Sequence, residues 1–255
     1  MKKSERFVHI REKLMADGIV SIEQLEEILD ASRATVYRDL RELEENNELK
    51  CTRGGAVSVS RRTSQEFSYA KKLDLFQEEK IRIATEAMKY IHPRDTIILD
   101  SGTTVFELAK LVAEEEDELY IATNDILTAR RLAKNGHISL TVLGGLLRKD
   151  HFSLNGYFTE SMISQMHADT AFIGADAIDL SIGFMNFSVE EIQAKKLMLR
   201  ASKRRIFLCD HTKFDSTAFV NICPFSDADM IITGVETKPE IESELNSLGI
   251  RVVRV

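Results

Sequence analysis

Apolar positions in the first sixty residues recur at helical spacing. Phe7, Ile10 and Leu14 line one side of an opening helix over residues 4–16, which Asp17-Gly18 closes. A second stripe, Ile22, Leu25, Ile28 and Leu29, begins just after Ser21, and Gln24 stands where a Ser-x-x-Gln capping box needs it. Asp30-Ala31-Ser32 is a short polar turn, with Ser32 placed to cap a third helix in which Val36, Leu40 and Leu43 fall at i, i+4 and i+7. Asn46-Asn47-Glu48 ends that helix, an Asn being able to take the left-handed backbone there. Glu48 to Cys51 and Ala56 to Ser60 then read as two short strands joined through Thr52-Arg53-Gly54-Gly55. The pattern predicts a helix-turn-helix followed by a β-wing.

The polar flank of the third helix carries Arg33, Tyr37, Arg38 and Arg41, and Lys50 and Arg53 lie near the wing tip. A helix of this width enters the major groove, where base edges are distinguishable, while cations and an aromatic ring meet phosphates, sugars or thymine methyls. Two amphipathic helices with several arginines are also what an ordinary solvated face looks like. The wing is the feature that separates the two readings.

Beyond residue 58 the pattern changes twice. Ser58 to Ser68 is polar, contains Arg61-Arg62 and has no apolar period, which reads as a linker. From Phe76 onward, helical segments near 76–91, 103–113, 125–135, 159–166, 188–202 and 238–248 alternate with apolar, β-rich runs at 96–99, 119–122, 140–143, 170–173, 206–209, 230–233 and 251–255. Such alternation predicts an α/β unit with a mostly parallel sheet covered on both faces. The expected organisation is 1–58 for the DNA-binding domain, 59–75 for the linker and 76–255 for a Rossmann-like effector and oligomerisation domain.

In such sheets ligands bind beyond the carboxyl ends of the strands. Those positions hold Asp100-Ser101-Gly102-Thr103-Thr104, Thr123-Asn124-Asp125, Gly144-Gly145, Gly174-Ala175-Asp176 and Asp210-His211-Thr212-Lys213. Hydroxyls, acids, a lysine and helix N-terminal N–H groups on one edge suit a polyhydroxylated, phosphorylated small molecule. Each element alone is common strand-to-helix punctuation, and Asp125 reads as a helix N-cap. Neither G-x-G-x-x-G nor G-x-x-x-x-G-K-[ST] occurs, and Ser101 is outside a G-x-S-x-G elbow, which argues against dinucleotide, P-loop and hydrolase chemistry.

Charge refines the picture. The net charge of −7 over 255 residues is concentrated after residue 72: residues 1–72 carry 14 Lys and Arg against 13 Asp and Glu, and the remainder 20 against 28. The DNA reader is therefore near neutral with its arginines clustered, so base contacts and dimerisation must supplement a modest phosphate attraction. Cys51, Cys209 and Cys223 have neither metal nor disulfide spacing, and no apolar run reaches the roughly 20 residues that span a bilayer. A cytoplasmic protein without cofactor or metal, and without a membrane partner, is expected.

These residues carry a resemblance. Val20-Ser21 with Leu25, Ser32, Thr35-Val36-Tyr37-Arg38-Asp39-Leu40, Leu43-Glu44 and Arg53-Gly54-Gly55-Ala56 resemble the N-terminal motif of the DeoR family of bacterial transcription regulators. Tyr37 stands where that motif has the first arginine of a pair, and Arg53 where it has histidine, which bears on the operator sequence. Asp100 with Gly102-Thr103-Thr104, Thr123-Asn124, Gly144-Gly145, Gly156, Phe172-Ile173-Gly174, Glu191 with Lys195, and Asp210 with Thr212-Lys213-Phe214 resemble the family's effector domain. The resemblance implies a ribose-5-phosphate-isomerase-like fold that binds a sugar phosphate, in a protein that regulates a carbohydrate operon, usually as a repressor.

On this reading Ser32, Arg33, Thr35, Tyr37, Arg38, Arg41, Lys50 and Arg53 meet double-stranded operator DNA, in a homo-oligomer facing repeated half-sites. Asp100, Gly102, Thr103, Thr104, Thr123, Asn124, Gly144, Gly145, Asp176, Glu191, Lys195 and Lys213 meet the effector. Glu191 and Lys195 equally make an ordinary i,i+4 ion pair. The alternative is a sugar-phosphate isomerase-like enzyme with an appended DNA-binding domain. Those isomerases carry Asp-Gly-Ala-Asp-Glu where this chain has Ile173-Gly174-Ala175-Asp176-Ala177, so one acid of three remains and no catalytic residue is expected.

Overall fold

In the computed structural model, which describes residues 1–46, 48–58, 66 and 68–255 (Ala16 by its backbone alone), the early apolar stripes converge on one small core. The chain divides into two units, Met1–Gln65 and Glu66–Val255. The first contains α1 (Lys3–Asp17), β1 (Ile19–Ser21), α2 (Ile22–Leu29), α3 (Arg33–Glu45), β2 (Leu49–Thr52) and β3 (Gly55–Ser58). Its core holds Ile10, Leu14, Ile22, Leu25, Leu29, Val36, Leu40 and Leu43.

Local chemistry sets the boundaries. Ser21 and Gln24 form the capping box at the head of α2, with bonds of 3.1 and 2.9 Å. Asp30 closes α2 in the left-handed conformation (φ 45°), which a short polar side chain tolerates. Ile28 departs from its expected place: it is 39% exposed, because it lies about 100° round the helix from Leu29, outside the arc of Ile22, Leu25 and Leu29. Asn47 and the wing's Val59 and Ser60 lie outside the described residues.

The wing has three strands rather than two, in the order β1-β3-β2. The strand that precedes α2 pairs with β3, Ser21 opposite Gly55. A side chain on Gly55 would collide with the Val20 carbonyl oxygen, so this close approach requires glycine.

Asp39 belongs to the motif on α3 yet faces inward, fully buried, and accepts from Arg6 Nε and Nη2 at 2.6 and 3.1 Å. Arg11 makes a second forked pair with Glu48 at 2.7 and 3.2 Å. Both tie α1 to the helix-turn-helix from behind.

The larger unit contains α4 (Tyr69–Asp74), α5 (Gln77–Met88), β4 (Thr96–Leu99), α6 (Thr103–Val112), β5 (Leu119–Thr123), α7 (Ile126–Leu132) and β6 (Ile138–Val142). The hairpin β7 (Leu146–Leu147) and β8 (Leu154–Asn155) and α8 (Tyr157–Ile163) follow. Then come β9 (Ala168–Ile173), β10 (Ala177–Asp179), β11 (Gly183–Asn186), α9 (Ile192–Ala201), β12 (Ser202–Leu208), β13 (Val220–Cys223), β14 (Met230–Thr233), α10 (Pro239–Ser247) and β15 (Arg251–Arg254).

Seven strands form one sheet in the order β15-β14-β12-β9-β4-β5-β6, every neighbouring pair parallel. Ile97, Leu99, Phe172, Ile206, Leu208 and Ile232 point to one face, under α5 and α6. Ile98, Ala171, Ile173, Phe207 and Ile231 point to the other, under α9 and α10. Two-sided burial explains why the sequence runs read as continuously apolar.

Two parts of this unit carry no strong sequence signal. The antiparallel sheet β10-β11-β13 and the β7-β8 hairpin are built from short, mixed-polarity strands. Of the segment read as linker, 59–65 and 67 lie outside the described residues, whereas Glu66 and Ser68 to Leu75 belong to the larger unit, where α4 buries Tyr69 and the chain after it buries Leu75.

The Arg6–Asp39 fork predicts a cost. Asp39→Ala removes the acceptor of two charge-assisted bonds, worth about 2 kcal/mol. Amide exchange along α3 should accelerate roughly thirtyfold and that along β4 should not change; unchanged exchange in α3 would show that the pair contributes nothing to holding the helix.

Candidate functional site

The exposed side of α3 gathers the expected cations. Ala34, Tyr37, Arg38, Arg41, Glu42 and Glu45 line a shallow concavity. Arg33, Arg38, Arg41, Lys50 and Arg53 are exposed, and Tyr37 is half-buried with its ring packed on the small core. Three members of the expected set have local duties. Ser32 Oγ accepts from the Thr35 backbone N–H at 3.4 Å and lies 3.0 Å from Thr35 Oγ1, so both hydroxyls are engaged in capping α3. Arg33 lies 3.1 Å from Glu23 and 3.7 Å from Glu26, which draws it toward α2. Glu42 and Glu45 temper the cationic face, and Glu42 is paired with Lys3 at 2.6 Å.

In the larger unit the order of the sheet fixes where a ligand can sit. The chain runs outward from β4 to β5 and β6, then returns to β9 on the other side of β4 and runs outward again. The strand order therefore reverses between β4 and β9, and a crevice opens beyond their carboxyl ends. A small pocket, open to solvent, lies there. Gly102, Thr103, Thr104, Asp176, Glu191, Lys195 and Lys213, all expected from the sequence, line it.

Asp100 lies just beneath. Its Oδ2 accepts from the Gly174 N–H at 3.0 Å and from Lys195 Nζ, which also donates to the Gly174 carbonyl at 3.0 Å. Asp100 Oδ1 is buried and has no hydrogen-bond partner among the described residues. Burial works against the Lys195 ammonium, but Asp100 and Glu191 outweigh it and hold the group above the usual lysine range. It is a cation, poorly suited to act as a nucleophile.

Thr123, Asn124, Gly144 and Gly145 are expected site residues that do not line the pocket. They follow β5 and β6, one and two strands away from the reversal, and the β7-β8 hairpin covers them. Asn124 is buried; its Nδ2 donates to the Leu154 carbonyl at 3.2 Å, its backbone carbonyl accepts from the Leu154 N–H at 2.7 Å, and its Oδ1 has no hydrogen-bond partner among the described residues. The Thr123 hydroxyl accepts from the Asp125 N–H at 3.1 Å. A side chain on Gly145 would strike the Thr159 hydroxyl, which itself donates to the Gly144 carbonyl. This glycine pair seats the hairpin and α8.

The remaining wall comes from residues outside the expected set: Glu66, Tyr69 and Lys72 from the segment around α4, His151 from the hairpin loop, and Asn186 from β11. Lys72 Nζ lies 2.6 Å from Glu66 and 2.7 Å from Asp176. Arg148 donates to Glu66 and, at 3.1 Å, to Glu191. Glu191 also accepts from Ser153 Oγ and Asn186 Nδ2, both at 2.8 Å. Against the burial that would raise it, Lys195 and Arg148 hold the Glu191 carboxyl below the usual range.

Lys80 donates to the Lys72 carbonyl from a buried position, and burial lowers its pKa to about 8 despite the charge of Asp210. One signal for it exists in the sequence: with Ile83, Ala84 and Ala87 it completes the i, i+3, i+4, i+7 stripe of α5.

Chemically, the pocket offers two kinds of group. The first turn of α6 presents backbone N–H groups with the Thr103 and Thr104 side chains, and Lys72 and Lys213 also line the pocket; together these can bind an anion. Nothing lies within 4 Å of where a side chain on Gly102 would begin, so glycine keeps the approach to α6 open. Asp176, which pairs with Lys72, and Glu191 and Asn186 suit hydroxyl groups.

Residues 6–62 match the model of the DeoR-like helix-turn-helix domain, and residues 75–235 match that of the DeoR C terminal sensor domain. GlcR, a transcriptional repressor of Bacillus subtilis, is 34% identical over 91% of this chain and 89% of its own. The glycerol-3-phosphate regulon repressor of Haemophilus influenzae is 31% identical over 92% of this chain and 90% of its own. The regulator GolR of Listeria innocua is 27% identical over 98% and 97%. A solved D-ribose-5-phosphate isomerase in complex with phospho-erythronic acid overlays on 54% of this chain and 54% of its own, with a TM-score of 0.41 and 20% identity.

Asp125, the N-cap of α7, generates a pH prediction. Its Oδ1 accepts from the Thr128 N–H at 2.7 Å, whereas Oδ2 is buried without a partner among the described residues. Burial, reinforced by the charge of Asp100, pushes its pKa up to about 6. The folded value lies above the unfolded value of about 3.9, so the native state loses stability as pH rises through that interval. Asn caps as well as Asp does. Asp125→Asn should therefore stabilise the protein by on the order of 2 kcal/mol at neutral pH, with the gain fading toward pH 4.5 in thermal unfolding; a gain independent of pH would rule out this cause.

Proposed function

The chain belongs to the DeoR family of transcription regulators, and from that premise we propose that its larger unit senses a phosphorylated sugar or related metabolite. Occupancy of the pocket would control how the smaller unit holds its operator, in a carbohydrate-metabolism operon that the protein represses. The observation that carries the ligand class is the mixed lining of the pocket: an α6 N-terminus with Lys72 and Lys213 for a phosphate, and Asp176, Glu191 and Asn186 for hydroxyls. Asp100 and Lys195 would support these contacts from beneath. The regulon named for the Haemophilus influenzae relative is itself one of a phosphorylated polyol.

At the operator, Arg38 and Arg41 with Tyr37 would read the major groove, and Lys50 and Arg53 of the wing would hold the backbone. Arg33 joins them once it leaves Glu23 and Glu26. A homo-oligomer would present two or more readers to repeated half-sites. Leu146, Leu147, Tyr157 and Phe158, exposed around the β7-β8 hairpin, are apolar surface that a second copy would cover. No described helix is long and apolar enough to cross a membrane, and the chain would work in the cytoplasm, where its operator is.

Isomerase catalysis is the weaker reading. Lys195 is locked between Asp100 and the Gly174 carbonyl, and Glu191 already accepts from Arg148, Ser153 and Asn186. A general base needs a free lone pair directed at substrate and a pKa near the working pH.

Thermal unfolding against sugar phosphates, each paired with its free sugar, tests the sensor. A ligand at about 100 times its Kd should stabilise the native state by roughly 2.7 kcal/mol. A shift with a phosphorylated sugar and none with its free partner supports the reading; equal shifts for both would remove the anion site. Arg38→Ala should weaken operator binding by about 1–3 kcal/mol and leave effector affinity unchanged; undiminished operator binding would reject the assignment of α3 as the reading helix.

A further inference from the structure

The proposed anion site has an electrostatic difficulty. Around it Lys72, Arg148, Lys195 and Lys213 stand against Glu66, Asp100, Asp176, Glu191 and Asp210. The cluster has no net positive charge. A phosphate monoester brings about −1.5 to −2 at pH 7, and a dianion entering a partly buried site needs uncompensated cations or donors. A resident carboxylate that gives way would free such a cation beside the donors of α6.

Glu66 is set apart from the others by its support. The Asp100 N–H bonds to the Phe172 carbonyl, the Asp176 N–H bonds to the Met185 carbonyl, and Glu191 is the N-cap of α9 whose carbonyl accepts from the Lys195 N–H. Their backbones are anchored by the sheet or by a helix. Glu66 lies outside every helix and strand, and it directly follows residues 59–65, the stretch that leads from the smaller unit. Its carboxylate is nonetheless drawn into the pocket: the side chain is 9% exposed and meets Lys72 at 2.6 Å, Arg148, and His151 Nδ1 at 3.4 Å. Two cations and an imidazole thus converge on the first described residue of the larger unit.

We propose that Glu66 is a built-in anion held among the cations of the pocket, Lys72 and Arg148, and that the effector's phosphate competes with it for Lys72. The inference rests on the sensor reading and supplies its regulation. When phosphate takes Lys72, Glu66 loses that partner and faces a like charge, and it withdraws. The start of the larger unit is thereby released from Lys72. The competition runs through one side chain, because a dianion at Lys72 repels the carboxylates that share its ammonium, and of these Glu66 is the one without sheet or helix support.

The probe is inorganic phosphate, titrated calorimetrically into the full chain and into Glu66→Gln. The variant keeps the shape and loses the charge, so it should bind phosphate at least tenfold more tightly. Without phosphate it should unfold at a lower temperature than the parent, since Lys72 loses a partner, and phosphate should restore it. A second readout uses the parent and does not depend on the stability of the variant: the His151 ring resonance, whose Nδ1 lies 3.4 Å from Glu66, should shift with phosphate and saturate at the calorimetric Kd. Equal phosphate affinity in parent and variant, or a His151 resonance that stays constant as phosphate binds, overturns the competition and leaves the sensor reading standing. Phosphate binding by neither protein overturns both.

Discussion

Lys195 joins the two strands between which the sheet reverses its order. From α9 it donates to Asp100 at the end of β4 and to the carbonyl of Gly174 at the end of β9, while Asp100 takes the Gly174 N–H. A parallel sheet buried on both faces has no polar surface except at its strand ends. There the charges must be paired, because an isolated one would carry the full penalty of leaving water. The Lys195–Asp100 pair meets that demand in the most buried part of the crevice, and around it stand the carboxylates of Glu191, Asp176 and Glu66, then the more exposed Arg148 and Lys72.

The sequence made the sheet and its switch-point chemistry legible for a physical reason. Buried parallel strands are apolar runs, and each is followed by the residues that turn the chain into a helix, so Gly102, Thr103, Thr104, Asp176 and Lys213 could be read off in order. Which strand ends meet could not be read, since that depends on strand order. Thr123-Asn124 and Gly144-Gly145 look as ligand-like as Gly102-Thr103-Thr104, yet they follow strands on one side of the reversal and lie under the β7-β8 hairpin. Glu66, Tyr69 and Lys72 were hidden in a polar, aperiodic stretch, the pattern of a linker. Only tertiary contacts give such a stretch a place.

The N-terminal unit was legible to the level of single caps, because its signals are local: a capping box at Ser21 and Gln24, an N-cap at Ser32, an aspartate that tolerates the left-handed turn at residue 30. What local signals do not show is how the side chains of α3 divide. Arg38 and Arg41 are exposed, Ser32 and Thr35 cap the helix, and Asp39 is directed inward to Arg6 thirty-three residues away. The third strand of the wing was missed because Ile19–Ser21 is too short to show a period of two.

That division of α3 has a consequence for how such a reader can change over time. The pair that orients the helix, Arg6 and Asp39, lies on the inward side, and Arg38 and Arg41 lie exposed on the outward side, while the Tyr37 ring packs on the core between them. Substitutions at Arg38 and Arg41, or at Arg53 on the wing, therefore leave the helix on its support. Were these the residues that meet the operator, a lineage could drift from one operator to another through folded intermediates, while the sensor unit continues to answer to its own small molecule.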